Sequence, residues 1–410
     1  MKMSTKMLLQ MLMLQLSCAM STTHAFTLLV SSYNAPNATL GALQTLTYDP
    51  CTGDLDVTSS NQDCGALPSW LELSPDRNLV TCVNEADPGS LTLLRINESG
   101  QLKKVANASI AGGPVSSAYY NNGKGLAIAH YEPHSISTYT LPPHSNSTIS
   151  FQPHQSFTFN LSSINPVRQS TSHIHQALLD PTGQYLLFPD LGGDRVHVYC
   201  IDSTTGALEA KKPLLSKQGY GPRHGVFWTV GGEGYGDGEG EEKVYLFVVH
   251  ELSNKIVSYE VNYAETGLEF EEVDEVSTFG NRTTPTGAAA AEIVISPDST
   301  FLLASNRLAP IFDLPNPDKS NTTTIPSDSL VTYKPTRNGK LEFVNLAPSG
   351  GRNPRHFSLN KDGTLVAVGN QADRTVVVYA RDVETGKIGE EVAVATGLAG
   401  GLTNVQWLRE

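Results

Sequence analysis

The stretch HIHQALLDPTGQYLLFPDLGGDRVHVY, residues 173–199, holds three short β-patterned runs separated by two turn signals. Residues 175–179, 184–188 and 195–199 are rich in leucine, β-branched and aromatic side chains. Asp180-Pro181-Thr182-Gly183 and Gly192-Gly193-Asp194 supply turn residues. The pattern predicts most of one four-stranded antiparallel blade, and it carries two histidines.

The unit recurs along the chain. The runs FTLLVSSY, LVTCVNEA, LAIAHYEP, YLLFPDLG, LFVVHELS, LLASNRLA and VAVGNQAD place Tyr33, Asn84, His130, Asp190, His250, Asn306 and Asn370 in one register, 46 to 64 residues apart. Tight turns such as Ser74-Pro75-Asp76-Arg77 and Asn360-Lys361-Asp362-Gly363 precede most copies, and strands ending in Tyr139, Tyr199, Tyr259, Tyr333 and Tyr379 follow many of them. Strand, turn, strand, loop, strand, turn, strand is the grammar of a propeller blade. The fold class expected is all-β, a seven-bladed β-propeller of four-stranded antiparallel blades. An open ring would expose a sheet edge, so residues 26–31 and 405–408 should share one blade. Residues 141–165, 231–242 and 308–327 read as surface-loop insertions, the second of them Gly-rich and acidic.

Residues 1–25 are set apart from this domain. Lys2 and Lys6 precede an apolar run too short to span a bilayer, and Thr23-His24-Ala25 offers a small-x-small cleavage site. This predicts a secretory signal peptide, a mature propeller domain of residues 26–410 and an extracellular location. Asn-x-Ser/Thr sequons at Asn37, Asn97, Asn107, Asn146, Asn160, Asn281 and Asn321 agree with glycosylation on that route. A net charge of −13, with no basic run, argues against nucleic acid and against an anionic membrane surface. Cys18 falls in the leader. Of the rest, Cys51 and Cys64 lie in turn-rich sequence and are expected to pair, while Cys82 and Cys200 sit in strand patterns as buried thiols. No metal motif or nucleotide loop stands out, so no cofactor or metal is expected, and the molecule is expected to be a monomer.

Register between copies selects candidate site residues. Five residues before each tight turn lie Ser69, Val115, His175, Arg223, Ala291 and Arg355; after the aligned polar ends lie Glu85, Tyr131, Leu191, Glu251, Arg307 and Gln371. An antiparallel hairpin returns its second strand to where the first began. His175, Arg223, Glu251 and Arg307 should therefore converge at one mouth of the central channel as the catalytic set, with Arg355, His224 and His173 as substrate-binding candidates. Two arginines can hold an anionic group or a developing oxyanion, and His and Glu can move protons. Glu251 beside guanidiniums should have a lowered pKa, and His175 beside cations should stay neutral. The bland alternatives are inter-blade ion pairs for the charged residues and packing for His173.

At these residues the chain resembles the seven-bladed propeller lactonases, which include 6-phosphogluconolactonases and fungal carboxy-cis,cis-muconate cyclases. The stretches carrying the likeness are HIHQALLDPTGQYLLFPDL from His173, GPRH from Gly221, VVHELSNKI from Val248, SPDSTFLLASNR from Ser296 and NPRHFSLNKDG from Asn353. The resemblance implies a His, a Glu and two Arg as active-site set, at His175, Glu251, Arg223 and Arg307. It implies a lactonase acting on a small polar or anionic sugar-derived lactone, with a muconate-lactonising cycloisomerase as the alternative. The chain departs from such relatives in its export signals. A non-catalytic extracellular propeller binding a glycan or a protein is the reading from another class.

Overall fold

A computed structural model describes residues 25–141, 150–230, 242–316 and 321–409. The expected leader, Asn146 and nearly all of the Gly-rich acidic insertion lie outside these residues. The described chain forms seven four-stranded antiparallel sheets and one two-stranded hairpin. Six blades are built from consecutive stretches: residues 68–110, 114–158, 178–215, 222–277, 289–348 and 354–395, numbered here as blades 1 to 6. Blade 7 takes its innermost strand, Leu402–Arg409, from the C-terminal end and the next three, Phe26–Ser32, Ala42–Tyr48 and Leu55–Asn61, from the N-terminal end. Neighbouring blades touch all the way round, so the sheets form the closed seven-bladed ring that the repeat predicts.

The order of burial along each blade follows from its place in the ring. Second and third strands pack between neighbouring blades and read as apolar runs; Tyr185–Asp190 is buried throughout. Its Leu186 and Phe188 meet Ala127, Ala129 and Ile136 of blade 2, and burying one such phenylalanine is worth about 2 to 3 kcal/mol. The tyrosines that end the third strands, such as Tyr199 and Tyr379, are likewise buried. Outermost strands face solvent and carry polar residues. That corrects one expectation, since Gln152–Thr158, inside a supposed loop, is the outer strand of blade 2, and its sequence QPHQSFT has little apolar content because an edge strand needs little. The insertion at 308–327 is also more than loop, for Phe312–Pro315 pairs with Thr324–Ser327 as a hairpin.

The polar ends aligned in the sequence serve the fold. All but Tyr33 are buried at the end of a second strand and hold the loop arriving from the previous blade. Asn84 Oδ1 accepts from Leu67 N at 2.7 Å, Asp190 Oδ1 from His173 N at 2.7 Å, and Asn306 Nδ2 donates to the Thr278 carbonyl at 2.7 Å. Satisfying these backbone groups lets seven apolar sheets meet without leaving loop polar groups unpaired. The tight turns close in the same way, with Ser74 Oγ accepting from Leu79 N and Asp180 Oδ1 from Tyr185 N.

The disulfide differs from expectation. Cys64 pairs with Cys82, their Cα atoms 6.0 Å apart, and not with Cys51. Cys82 sits on the second strand of blade 1, fully buried among Leu43, Leu71 and Leu94, where Cys64 reaches it from the loop leaving blade 7. Short separation had favoured Cys51, but pairing needs facing Cβ atoms, and the packed face of blade 1 provides them. Cys200 is a free, half-buried thiol.

Candidate active site

A break in the β-ladder brings the site residues inward. Near the start of six inner strands the ladder carries an extra residue: pairing passes from Pro68 to Trp70, Pro114 to Ser116, Pro222 to His224 and Pro354 to His356, likewise across Thr403, and in blade 5 from Ala290 to Ile293, with Ala291 and Glu292 opposite Ser305. In blade 3 Ile174 bridges Asp190, and pairing resumes at Leu178. Pro189, which has no N–H to donate, weakens the ladder there. A bulge re-aims the side chain it carries. The residues displaced, Ser69, Val115, His175, Arg223, Arg355 and Thr403, line a small pocket on the channel together with Trp70, His224 and Glu292.

Beside this cavity Glu251 gathers three guanidiniums. Its backbone N–H bonds the Gly221 carbonyl at 2.8 Å, so the hairpin returns it next to Arg223. Glu251 Oε2 accepts from Arg223 Nε at 3.1 Å and lies 2.9 Å from Arg307 Nη2, while Oε1 accepts from Arg168 Nη2 at 2.5 Å. Arg223 also donates through Nη1 to the Ala291 carbonyl at 2.8 Å. Burial alone would raise the Glu251 carboxyl, but Arg307, Arg223 and Arg168 outweigh it and hold the pKa at about 2. With both oxygens committed, Glu251 anchors the arginines. It is therefore not free to move a proton, the chemistry that its residue type suggested in the sequence.

On the other side His175 heads a chain of rings. His175 Nδ1 lies 3.1 Å from His224 Nε2, and His224 Nδ1 lies 2.9 Å from Glu292 Oε1. Glu292 Oε2 is 3.6 Å from His356 Nε2. Burial, reinforced by Arg223, lowers the His175 pKa well below that of an ordinary imidazole and keeps the ring neutral. Burial likewise lowers His224, and it lowers His356 to about 4. Burial would raise Glu292, yet His224, His356 and Arg223 together hold it at about 2, as an anion.

The remaining candidates take lesser places. His224 reaches the cavity wall, but both ring nitrogens are engaged. Arg355 lines the cavity from the opposite side, with Nη2 3.6 Å from Glu85 and its guanidinium over the Tyr33 ring, whose hydroxyl donates to Glu85. His173 stays outside the cavity lining, stacked on Tyr131 at 4.1 Å with Nδ1 3.2 Å from the Tyr131 carbonyl. Glu132, His134 and His173 bring three donor atoms within 4.8 Å. His134 Nε2 lies 2.9 Å from Glu132, and His173 Nδ1 already has its carbonyl, so we read the set as a polar rim and assign no metal to it.

Sequence reasoning missed Arg168, Glu292, His356 and Trp70. Arg168 lies in the loop between blades 2 and 3, outside any repeat. Glu292, His356 and Trp70 each follow a ring position by one residue. Trp70 packs edge-on against both His224 and His356, walling in their rings.

Residues 27–400 match the family described as lactonase, 7-bladed beta-propeller. The chain belongs to the seven-bladed β-propeller lactonase family. Among the lactonase-family relatives, it is 31% identical over 355 residues, 85% of this chain and 82% of the other, to an Arthroderma benhamiae protein named "Probable 6-phosphogluconolactonase". It is 29% identical to a 6-phosphogluconolactonase of Formosa agariphila, over 78% of this chain and 83% of that one. In fold it is similar to the periplasmic gluconolactonase of Pseudomonas aeruginosa, with TM-score 0.74 and 23% identity, covering 94% of this chain and 99% of the other.

Proposed function

We propose that this protein hydrolyses a small, polar, sugar-derived lactone. The observation that carries the reading is a neutral histidine, His175, which engages His224 through Nδ1 and makes no hydrogen bond through Nε2 among the described residues, beside guanidiniums held in place by Glu251. The names of the two relatives, both 6-phosphogluconolactonases, support the same chemistry.

In this mechanism His175 Nε2 takes a proton from water as the water oxygen attacks the lactone carbonyl carbon. The carbonyl oxygen becomes an oxyanion, and Arg223 and Arg307 stabilise it. Arg307 is suited to this because its Nε is buried without a hydrogen-bond partner. As the tetrahedral intermediate collapses, the bond to the ring oxygen breaks and His175 returns its proton to that oxygen. The product is a hydroxy acid, which ionises. Arg355 and Arg168 add positive charge for an anionic substituent.

The leader pattern of residues 1–25 and the sequons support an exported glycoprotein, so an unphosphorylated aldonolactone fits as well as a phosphorylated one. Asn37, Asn97, Asn107, Asn160, Asn281 and Asn321 are all exposed, Asn107 on an outer strand. The test is acid release, followed by pH-stat, from a panel of aldonolactones with and without a phosphate, alongside ultraviolet loss with carboxylated muconates. Acid release that falls at least tenfold in Arg307→Ala is expected. Turnover of muconates alone would move the protein to the cycloisomerase reading, and turnover of neither would favour a binding propeller.

A further inference from the structure

We infer that Glu292 and His224 are positioning residues that set the tautomer of His175, leaving Nε2 as its proton-accepting atom. The inference rests on the lactonase reading only for what that atom acts upon.

His356 Nδ1 accepts from the backbone N–H of Val405 at 3.3 Å, so in the neutral ring its proton is on Nε2, 3.6 Å from Glu292 Oε2 and beyond hydrogen-bond range of it. Glu292 Oε1 also accepts the backbone N–H of Ile293 at 3.0 Å. The ionised carboxylate has only lone pairs to offer, so His224 must present Nδ1–H to it across 2.9 Å. A neutral His224 then has a lone pair on Nε2. Across 3.1 Å that lone pair can only accept, so the proton of His175 is on Nδ1 and its Nε2 is bare. The alternative tautomer of His175 would set two lone pairs against each other in a site where every partner is buried.

The same chain supports the charge that catalysis creates. When water gives its proton to His175 Nε2, a water O–H bond breaks and an N–H bond forms, making an imidazolium. Its Nδ1–H strengthens its bond to His224, and His224 strengthens its bond to the Glu292 carboxylate. Glu292 thus acts on a reaction centre two rings away, as the carboxylate of a hydrolase triad does through one ring. The edge contacts of Trp70 with His224 and His356, at 5.5 and 5.2 Å, keep both rings from turning. Tyr131, edge-on to His175 at 5.7 Å, does the same for the first ring.

The test is nitrogen-15 NMR of the imidazole side chains at neutral pH, with His175 assigned by loss of its signals in His175→Asn. In the wild type His175 should show a protonated Nδ1 and a pyridine-type Nε2. Glu292→Gln should disturb that tautomer and lower kcat at least tenfold with little change in KM, and Glu292→Asp should recover part of the loss. Circular dichroism checks that the variants fold. A protonated Nε2 on His175 in the wild type overturns the inference, as does a Glu292→Gln protein with unchanged tautomer and kcat. If the wild type opens no lactone, the lactonase reading fails while the tautomer measurement still decides this one.

Discussion

Replacing Glu251 by glutamine removes the one carboxylate shared by Arg168, Arg223 and Arg307. The Glu251 carboxyl falls from an ordinary 4.5 to about 2 in the folded protein. At about 1.4 kcal/mol per pH unit, this corresponds to about 3 kcal/mol of folding stability. Breaking a buried ion pair from one side costs a similar 3 to 5 kcal/mol or so, because the stranded charges remain buried. The sign follows from proton binding. The unfolded chain takes up the proton first as pH falls, so the contribution is whole above about 4.5 and is lost as pH drops through about 2. Urea unfolding of wild type and Glu251→Gln should therefore differ by about 3 kcal/mol near pH 7 and by only about 1 kcal/mol near pH 2.5. A difference below about 1 kcal/mol at neutral pH, or one equally large in acid, would show that the carboxylate does not hold the arginines together.

Further outcomes follow from the same contacts. Because burial and the nearby arginines lower the His175 pKa, the acid limb of kcat/KM should fall well below the 6.5 of an ordinary imidazole, which a pH–rate profile reads directly. Cys64→Ser with Cys82→Ser should lose about 3 kcal/mol of stability, the loop entropy of an 18-residue closure, in urea unfolding without reductant. Deleting residues 402–410 removes the inner strand of blade 7 and exposes the edge of Phe26–Ser32, so the truncated chain should aggregate, as light scattering would show.

The ring of blades was legible because the period is carried by residues with a physical duty in every copy, such as the buried Asn84, Asp190 and Asn370 that hold incoming loops. The channel position was legible for a related reason: Pro68, Pro114, Pro222 and Pro354 begin inner strands, and the residue after each is the one that the bulge displaces. Glu292 escaped because counting back from the turn selects Ala291, and nothing in the spacing says that the following residue also faces the channel. Arg168 escaped because its loop belongs to no repeat; it is placed by a turn in which Asn165 Oδ1 accepts its backbone N–H at 3.1 Å. The disulfide was misjudged because nearness along the chain says little about which Cβ atoms face each other across a packed sheet.

The central claim is that a lactone is opened at the channel mouth with His175 as base and the Glu251-held arginines at the carbonyl oxygen. A crystal structure with the lactam analogue of an aldonolactone, which hydrolysis opens far more slowly, tests it most directly. The lactam oxygen is expected on Arg223 or Arg307, with the carbonyl carbon facing His175 Nε2 across one water. A lactam seated at the opposite mouth of the channel, or with its carbonyl turned from His175, would contradict it.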